Sequence, residues 1–181
     1  MNLSSLSDLS LVAQVLAGAN DRAFNRLVKK YQAPVRRFFM HQTLGDRMLS
    51  DDLAQETFIL VYSNLAKFQQ LSSFKTWLMK IAYRVWLDHI RSMHATEDME
   101  SVETAESSSK TRDSETTLDI ITAMRRLTDI ERTCVTLFYI EDMPHDKVAQ
   151  ITGLPVGTVR SHVCRGRQKL SSFLKQNGYG Q

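Results

Sequence analysis

A segment near the middle of the chain limits the fold more than any other feature. Residues 94–115, HATEDMESVETAESSSKTRDSE, contain no aromatic side chain and seven acidic residues against two basic ones. Such a segment cannot bury enough apolar surface to offset the conformational entropy lost on folding. We therefore expect a flexible acidic linker between two separately packed domains, which would cover 1–93 and 116–176.

The sequence on either side of the linker favours helices. The 181 residues include only seven glycines and three prolines, and apolar residues recur at helical spacing. We predict an all-α protein. The expected helices lie near 8–17, 21–42, 50–65 and 73–92 before the linker, and near 115–127, 129–141, 145–152 and 156–175 after it.

Composition argues against several other classes of protein. The chain contains no apolar run long enough to cross a membrane, and MNLSSLSDLS at its start does not resemble a signal peptide. Cys134 and Cys164 lie far apart without CxxC spacing. We expect a cytoplasmic protein without membrane insertion, metal or cofactor.

The stretch SDDLAQETF, residues 50–58, predicts an acidic helix face. At 100° per residue, Ala54 and Phe58 point inward, and the opposite side carries Asp52, Gln55, Glu56 and Ile59. Asp51 and Asp52 would also suit the positive end of a helix that begins at 50. A solvated polar face is the simpler explanation of these residues alone.

The next helix has one narrow polar arc and follows a polar loop. Its apolar residues fall on two sides, which leaves an arc spaced four, four and three: Lys80, Arg84, Asp88 and Arg91. Three cations on one arc can follow a phosphate backbone, although a solvated stripe is also common. The loop before it, KFQQLSS at 67–73, offers an aromatic and two amides that could hold an unstacked base: Phe68, Gln69 and Gln70.

The stretch HDKVAQITGLPVGTVRSHVCRGRQKL, residues 145–170, has the layout of a helix-turn-helix. The first helix breaks at Gly153, and the second begins after Pro155. Residues 155–176 contain five cations and no acid. A basic outward face suits a helix that enters the DNA groove, and the residues expected to contribute are Arg160, Ser161, Cys164, Arg165, Arg167 and Lys169.

Other functional classes fit less well. A helix-turn-helix regulator of another kind would need a receiver or ligand-sensing domain, which the N-terminal half does not resemble. An adaptor that binds no DNA would not need the basic helix. A metal or redox enzyme would have to use Cys134, Cys164, His145 and His162, which have no ligand spacing such as HExxH.

Both halves of the chain resemble the extracytoplasmic-function (ECF) sigma factors of bacterial RNA polymerase. AFNRLVKKYQ (23–32), SDDLAQETF (50–58) and FKTWLMKIAYRVWLDHIR (74–91) are similar to the first domain of that family, called region 2. Residues 127–170 are similar to its second domain, region 4. The resemblance implies a non-enzymatic initiation factor that binds core RNA polymerase and promoter DNA.

The resemblance also assigns roles to the candidate residues. It implies that Asp51, Asp52, Gln55 and Glu56, with Ile59 as an apolar anchor, dock on the clamp helices of the largest polymerase subunit, and that the second domain contacts the flap. Loop 68–70 and the arc that begins at Lys80 would bind the −10 element, and the basic helix would bind the −35 element. Family members are commonly held inactive by an anti-sigma factor.

The sequence departs from the family at two of these positions. Many relatives have asparagine where this chain has Arg84, and a larger or more polar residue is frequent where it has Cys164. Arginine offers no hydrogen-bond acceptor, and a thiol is a poor donor. The base preference at both promoter elements is therefore left open.

Overall fold

The computed structural model describes residues 3–18, 21–97 and 115–179, and every regular element in these ranges is helical. This confirms the predicted all-α class. The helices are α1 (Leu3–Leu16), α2 (Asp21–Gln42), α3 (Arg47–Asn64), α4 (Phe74–Glu97), α5 (Glu115–Met124), α6 (Asp129–Val135), α7 (His145–Thr152) and α8 (Val156–Gln176). A short 3₁₀ turn, Leu65–Lys67, follows α3.

Most of the predicted acidic linker lies outside the described residues. Helix α4 continues to Glu97, five residues beyond its predicted end, and α5 begins at Glu115 as expected. Residues 98–114 between them are not described. The division of the chain at 93 and 116 therefore stays a prediction.

The N-terminal helices pack as predicted around the apolar faces of α2, α3 and α4. Leu78 and Val85 of α4 are buried, and so are Val61 of α3 and Leu65 in the 3₁₀ turn that follows it. Tyr83, on the second apolar side of α4, is also buried. Helix α4 therefore lies centrally, with apolar neighbours on two sides.

Helix α3 begins earlier than the sequence predicted. Its N-cap is Asp46, whose side chain accepts a hydrogen bond from the backbone N–H of Leu49 at 3.0 Å. Asp51 and Asp52 therefore lie in the second turn and cap nothing, so the capping explanation for them was wrong. The Asp46 carboxylate satisfies one of the free N–H groups in the first turn of α3, so this start needs no cap from Asp51 or Asp52.

The C-terminal helices pack closely around Gly166. A Cβ atom added to Gly166 in α8 would lie 2.5 Å from Cγ2 of Val135 in α6, so only glycine permits this approach. Helix α6 starts from a capping box between Thr128 and Glu131 and continues as a π-helical turn, Thr136–Ile140. These contacts place α8 with one face against α6 and the other in solvent.

Candidate functional site

The acidic side of α3 is open to solvent. Asp52, Gln55, Glu56 and Ile59 are all exposed, and Ile59 is 66% exposed despite its apolar side chain. Their opposite neighbours Ala54, Val61 and Leu65 are buried. The predicted orientation of this helix is confirmed, and its outward face combines two carboxylates, an amide and an apolar residue.

Asp51 lies at the edge of this face and forms an ion pair with Arg36 of α2. Both side chains are about half exposed. A groove of about 610 Å³ runs beside them between α2 and α3, lined by Val28, Gln32, Ala33, Arg36, Asp51, Ala54, Gln55, Phe58 and Ile59. The acidic face therefore borders an apolar depression that an opposing side chain could fill.

The loop between α3 and α4 is buried at Phe68 and exposed at its tip. Phe68 is only 7% exposed, and its ring packs against Phe74 and Trp77 at centroid distances of 5.6 and 5.2 Å. Gln69 is exposed, and Gln70 adopts a positive φ of 59°, which is uncommon for a residue other than glycine. Contact of the Phe68 ring with a base stays a prediction, and it would require the ring to leave this packing.

The polar arc of α4 is exposed along its whole length. Lys80, Arg84, Asp88 and Arg91 all face solvent. Asp88 forms an ion pair with Arg91, at 2.5 Å between Oδ1 and Nη1, and not with Arg84, which lies four residues before it. Among the described residues, Arg84 has no ion-pair partner, so its guanidinium is available to an external anion.

Helices α7 and α8 form the predicted helix-turn-helix. Gly153 ends α7 in the left-handed conformation at φ 75°, and its N–H donates to the carbonyl of Ala149. Pro155 precedes the first residue of α8. Val159 and Val163 are buried on the inner face of α8, as the sequence predicted.

The outer face of α8 is basic and exposed. The predicted DNA-contacting residues are all exposed: Arg160, Ser161, Cys164, Arg165, Arg167 and Lys169. Two of the cations reach Glu131 of α6, with Lys169 Nζ at 2.6 Å from Oε2 and Arg165 Nε at 3.8 Å from Oε1. Arg160 and Arg167 have no ion-pair partner among the described residues.

The described residues offer no cluster of metal-ligating side chains. They contain no group of three or more His, Cys, Asp or Glu side chains that could hold a metal ion. Cys134 is fully buried in the core, and this burial raises the pKa of its thiol to about 12. No helix in the described ranges is long and apolar enough to span a bilayer.

Two family models match the two halves of the chain. Sigma-70 region 2 matches residues 27–96, and Sigma-70 region 4 matches residues 117–170. The ECF RNA polymerase sigma factor SigC of Mycobacterium tuberculosis is 31% identical over 94% of each chain. The chain belongs to the ECF RNA polymerase sigma factors. The RNA polymerase sigma-H factor of Pseudomonas aeruginosa is also 31% identical, over 96% of each chain.

Solved structures of sigma factors share this fold. The sigma factor RpoE from Bartonella quintana, in complex with the anti-sigma factor NepR, superposes with a TM-score of 0.71 at 22% identity, over 84% of this chain and 96% of that one. CnrH, in complex with the cytosolic domain of CnrY, gives the same TM-score at 24% identity, over 95% and 99%. The α3 face and the loop lie within the region 2 match, and the basic helix lies within the region 4 match.

Sequence reasoning on this sigma factor missed the residues that join its two halves. Arg37 of α2 and Lys75 of α4 both form ion pairs with Glu141, which follows the π-helical turn. Nothing in the local sequence indicates this group, because its members are far apart in the chain. The capping box of α6 could have been found, since Thr128 and Glu131 have the spacing of that motif.

Proposed function

We propose that this sigma factor brings core RNA polymerase to promoters through three separate surfaces. The observation that carries the proposal is an exposed acidic face on α3 and an exposed basic face on α8, one in each sigma region of the same chain. A factor that only bound DNA would not need the first surface. A factor that only bound polymerase would not need the second.

The α3 surface would bind the clamp helices of the largest polymerase subunit. Asp51, Asp52, Gln55 and Glu56 present acceptors to a basic partner, and the exposed Ile59 side chain is open to an apolar contact. Charge complementarity speeds association and fixes register, whereas a desolvated apolar anchor lengthens the life of the complex. The region 4 half would contact the flap.

The −10 element would bind the loop and the arc of α4. Gln69, Gln70, Lys80 and Arg84 lie on this side of the chain and offer amide groups to a base and cations to phosphates. Asp88 and Arg91 form their own pair further along α4, so their contribution to DNA binding would be smaller.

The −35 element would bind the outer face of α8. Arg160 lies near the start of the helix, where a recognition helix meets base edges, and its guanidinium can donate two hydrogen bonds to guanine. Ser161 and Cys164 are small enough to allow close approach of the groove. Arg165, Arg167 and Lys169 would supply charge near the phosphates.

We further propose that the chain acts in the bacterial cytoplasm, catalyses no reaction and is held inactive by an anti-sigma factor. The support is the RpoE structure from Bartonella quintana, whose partner is an anti-sigma factor. A helix-turn-helix regulator of another kind would not account for the region 2 match over residues 27–96.

The proposal is tested by co-purification and run-off transcription with core polymerase. Asp52→Lys/Glu56→Lys reverses both carboxylates, and Asp52→Glu/Glu56→Asp keeps the charges as a matched control. We expect the reversed variant to lose polymerase binding and the control to keep it. Wild-type binding by the reversed variant would reject α3 as the docking surface.

A further inference from the structure

A buried carboxylate lies beneath the basic face of α8. The Glu131 side chain of α6 is only 6% exposed, and its Oε2 lies 2.6 Å from Nζ of Lys169. Its Oε1 lies 3.8 Å from Nε of Arg165. A carboxylate removed from water requires such cations, so these two side chains of α8 serve the packing of the protein as well as its surface charge.

The close approach of α6 and α8 at Gly166 brings this carboxylate within reach. A Cβ atom added to Gly166 would lie 3.7 Å from the backbone oxygen of Glu131, and still closer to the side chain of Val135. Arg165 and Lys169 are four positions apart, so they are neighbours on the helix surface, beside Gly166. The packing of the two helices therefore places both cations next to Glu131.

Arg165 has a further partner on its own helix. Its Nη2 lies 3.1 Å from Nδ1 of His162, one turn earlier. A guanidinium can only donate hydrogen bonds, so the ring nitrogen accepts here. Two groups of the protein, His162 and Glu131, therefore compete with an external anion for this side chain.

Two other cations of the outer face are free of such partners. At 100° per residue, Arg160 and Arg167 lie on one flank of this face, and Arg165 and Lys169 lie on the opposite flank. Arg160 and Arg167 are exposed, and neither forms an ion pair within the part of the chain that the structure describes. The outer face of α8 is thus divided into a free flank, Arg160 and Arg167, and a paired flank, Arg165 and Lys169.

We propose that Glu131 is a positioning residue that directs the phosphate backbone of −35 DNA to the free flank of α8. It does so by neutralising the paired flank, so that Lys169, and to a smaller extent Arg165, add little to the attraction for phosphates. This inference rests on the proposed function of α8 as the helix that binds the −35 element. It adds an internal acid to the residues that determine how α8 meets DNA.

A DNA phosphate does not readily take these cations from Glu131. Moving Lys169 to a phosphate leaves a buried carboxylate without its nearest cation, and an unpaired buried charge is costly. Sequence-independent attraction grows with the number of cations that neutralise phosphates and release counterions. Glu131 therefore lowers the affinity for every duplex, and base recognition by Arg160 supplies a larger share of the binding.

The proposal is tested by the salt dependence of DNA binding by the full chain. Glu131→Gln removes the charge but keeps an oxygen that can accept the N–H of Thr128, because glutamine also serves in a capping box. The release of Lys169 and Arg165 should steepen the log–log salt slope by about one to two. At low salt the affinities for matched and scrambled −35 duplexes should both rise about threefold to tenfold.

Asp142→Asn is the matched control for net charge. It removes the same charge at an exposed residue that forms no ion pair among those described. Asp142 has a positive φ of 51°, which asparagine also tolerates. The salt slope and both affinities should stay close to wild type. Gains equal to those of Glu131→Gln would attribute the effect to net charge alone and overturn the proposal.

A second comparison leaves Glu131 in place, and it decides the result if circular dichroism shows that Glu131→Gln does not fold. Arg167→Gln removes a free cation and should lower the salt slope by about one, whereas Lys169→Gln should lower it much less. In the Glu131→Gln chain, Lys169→Gln should also lower the slope by about one, because the lysine is then free. Equal losses for Arg167→Gln and Lys169→Gln in the presence of Glu131 would overturn the proposal.

Two results with the folded Glu131→Gln chain would also overturn it. One is a salt slope equal to that of wild type. The other is a gain in affinity confined to the matched duplex, since a released cation would then recognise bases and not phosphates. A wild-type chain that binds neither duplex at low salt would instead reject the proposed −35 function of α8, so the two failures are distinguishable.

Discussion

Lys169 of α8 lies 2.6 Å from Oε2 of Glu131 in α6, so one of the predicted phosphate contacts is held by the protein itself. Glu131 is also the third residue of α6, where it completes the capping box by accepting the N–H of Thr128 at 3.1 Å. Burial would raise the pKa of Glu131, but its hydrogen bonds with Lys169 and Thr128 keep that pKa below its usual value. Lys169 therefore stabilises the packing of α8 on α6.

Substitutions at Arg160 and Arg167 can separate base recognition from phosphate attraction. Neither residue forms an ion pair among the described residues, so removing it breaks no internal salt bridge. We expect Arg160→Ala to weaken binding to a preferred −35 duplex by about 1–3 kcal/mol more than binding to a scrambled duplex. Arg167→Ala should weaken both alike. The measurement is affinity for the two duplexes at one salt concentration.

Lys169→Ala is a useful third variant in that comparison. It removes an ion pair with Glu131 as well as a surface charge, so it should also lower the thermal unfolding temperature. Equal losses on both duplexes for Arg160→Ala would make Arg160 a phosphate contact, and another residue of α8 would have to recognise the bases.

The acidic face of α3 should be dispensable for folding. Asp52 and Glu56 are exposed and form no ion pair among the described residues, so reversing their charges removes no internal contact. Asp52→Lys/Glu56→Lys should keep its unfolding free energy within about 0.5 kcal/mol of wild type, as surface substitutions usually do. Chemical denaturation measures this, and a large loss would indicate a structural role for these carboxylates.

Gly166 should be irreplaceable for a steric reason. Gly166→Ala forces a methyl group to within 2.5 Å of Cγ2 of Val135, and overpacking of this kind costs about 1–3 kcal/mol. Gly157→Ala in the same helix is the matched control, because an added Cβ there meets no atom within 4 Å. Thermal unfolding should show a clear decrease only for Gly166→Ala, and similar midpoints for both variants would contradict the packing of α8 on α6.

The folded chain should lose stability at mildly acidic pH through His41, near the end of α2. Burial, with a contribution from Arg37, lowers the pKa of His41 to about 4 from 6.5. The unfolded chain takes up a proton near pH 6.5, but the folded chain does so only near pH 4. The free energy of unfolding should therefore fall as pH drops through this window, by up to about 3 kcal/mol from this residue.

His41→Leu removes that titration and should flatten the profile between pH 6.5 and 4 relative to wild type. Carboxylates titrate in both proteins, so their contribution cancels in the comparison. Denaturation at a series of pH values provides the measurement. Parallel profiles would show that His41 takes up its proton equally in the folded and unfolded chains.

The sequence predicted local structure well because local patterns determine it. The apolar spacing of residues 73–92 predicted α4. The sequence around Gly153 and Pro155 predicted α7, α8 and the turn between them. The start of α3 was misplaced because more than one aspartate in this stretch suits the start of a helix, and only the folded chain shows that Asp46 is the cap, accepting the N–H of Leu49.

Long-range contacts could not be predicted in the same way. Arg37 and Glu141 are separated by 104 positions, and no periodicity connects them. Phe68 was expected to be an available aromatic in a polar loop, but its ring packs on Phe74 and Trp77. Whether a loop side chain is buried depends on the helices that pack beneath it, and the sequence alone does not show how those helices pack.

Run-off transcription with purified core polymerase on a pool of genomic promoters tests the central claim most directly. The account predicts discrete transcripts that require the chain. It also predicts that they disappear with Asp52→Lys/Glu56→Lys and are redistributed or lost with Arg160→Ala. Absence of chain-dependent transcripts from core polymerase of the same bacterium would contradict it.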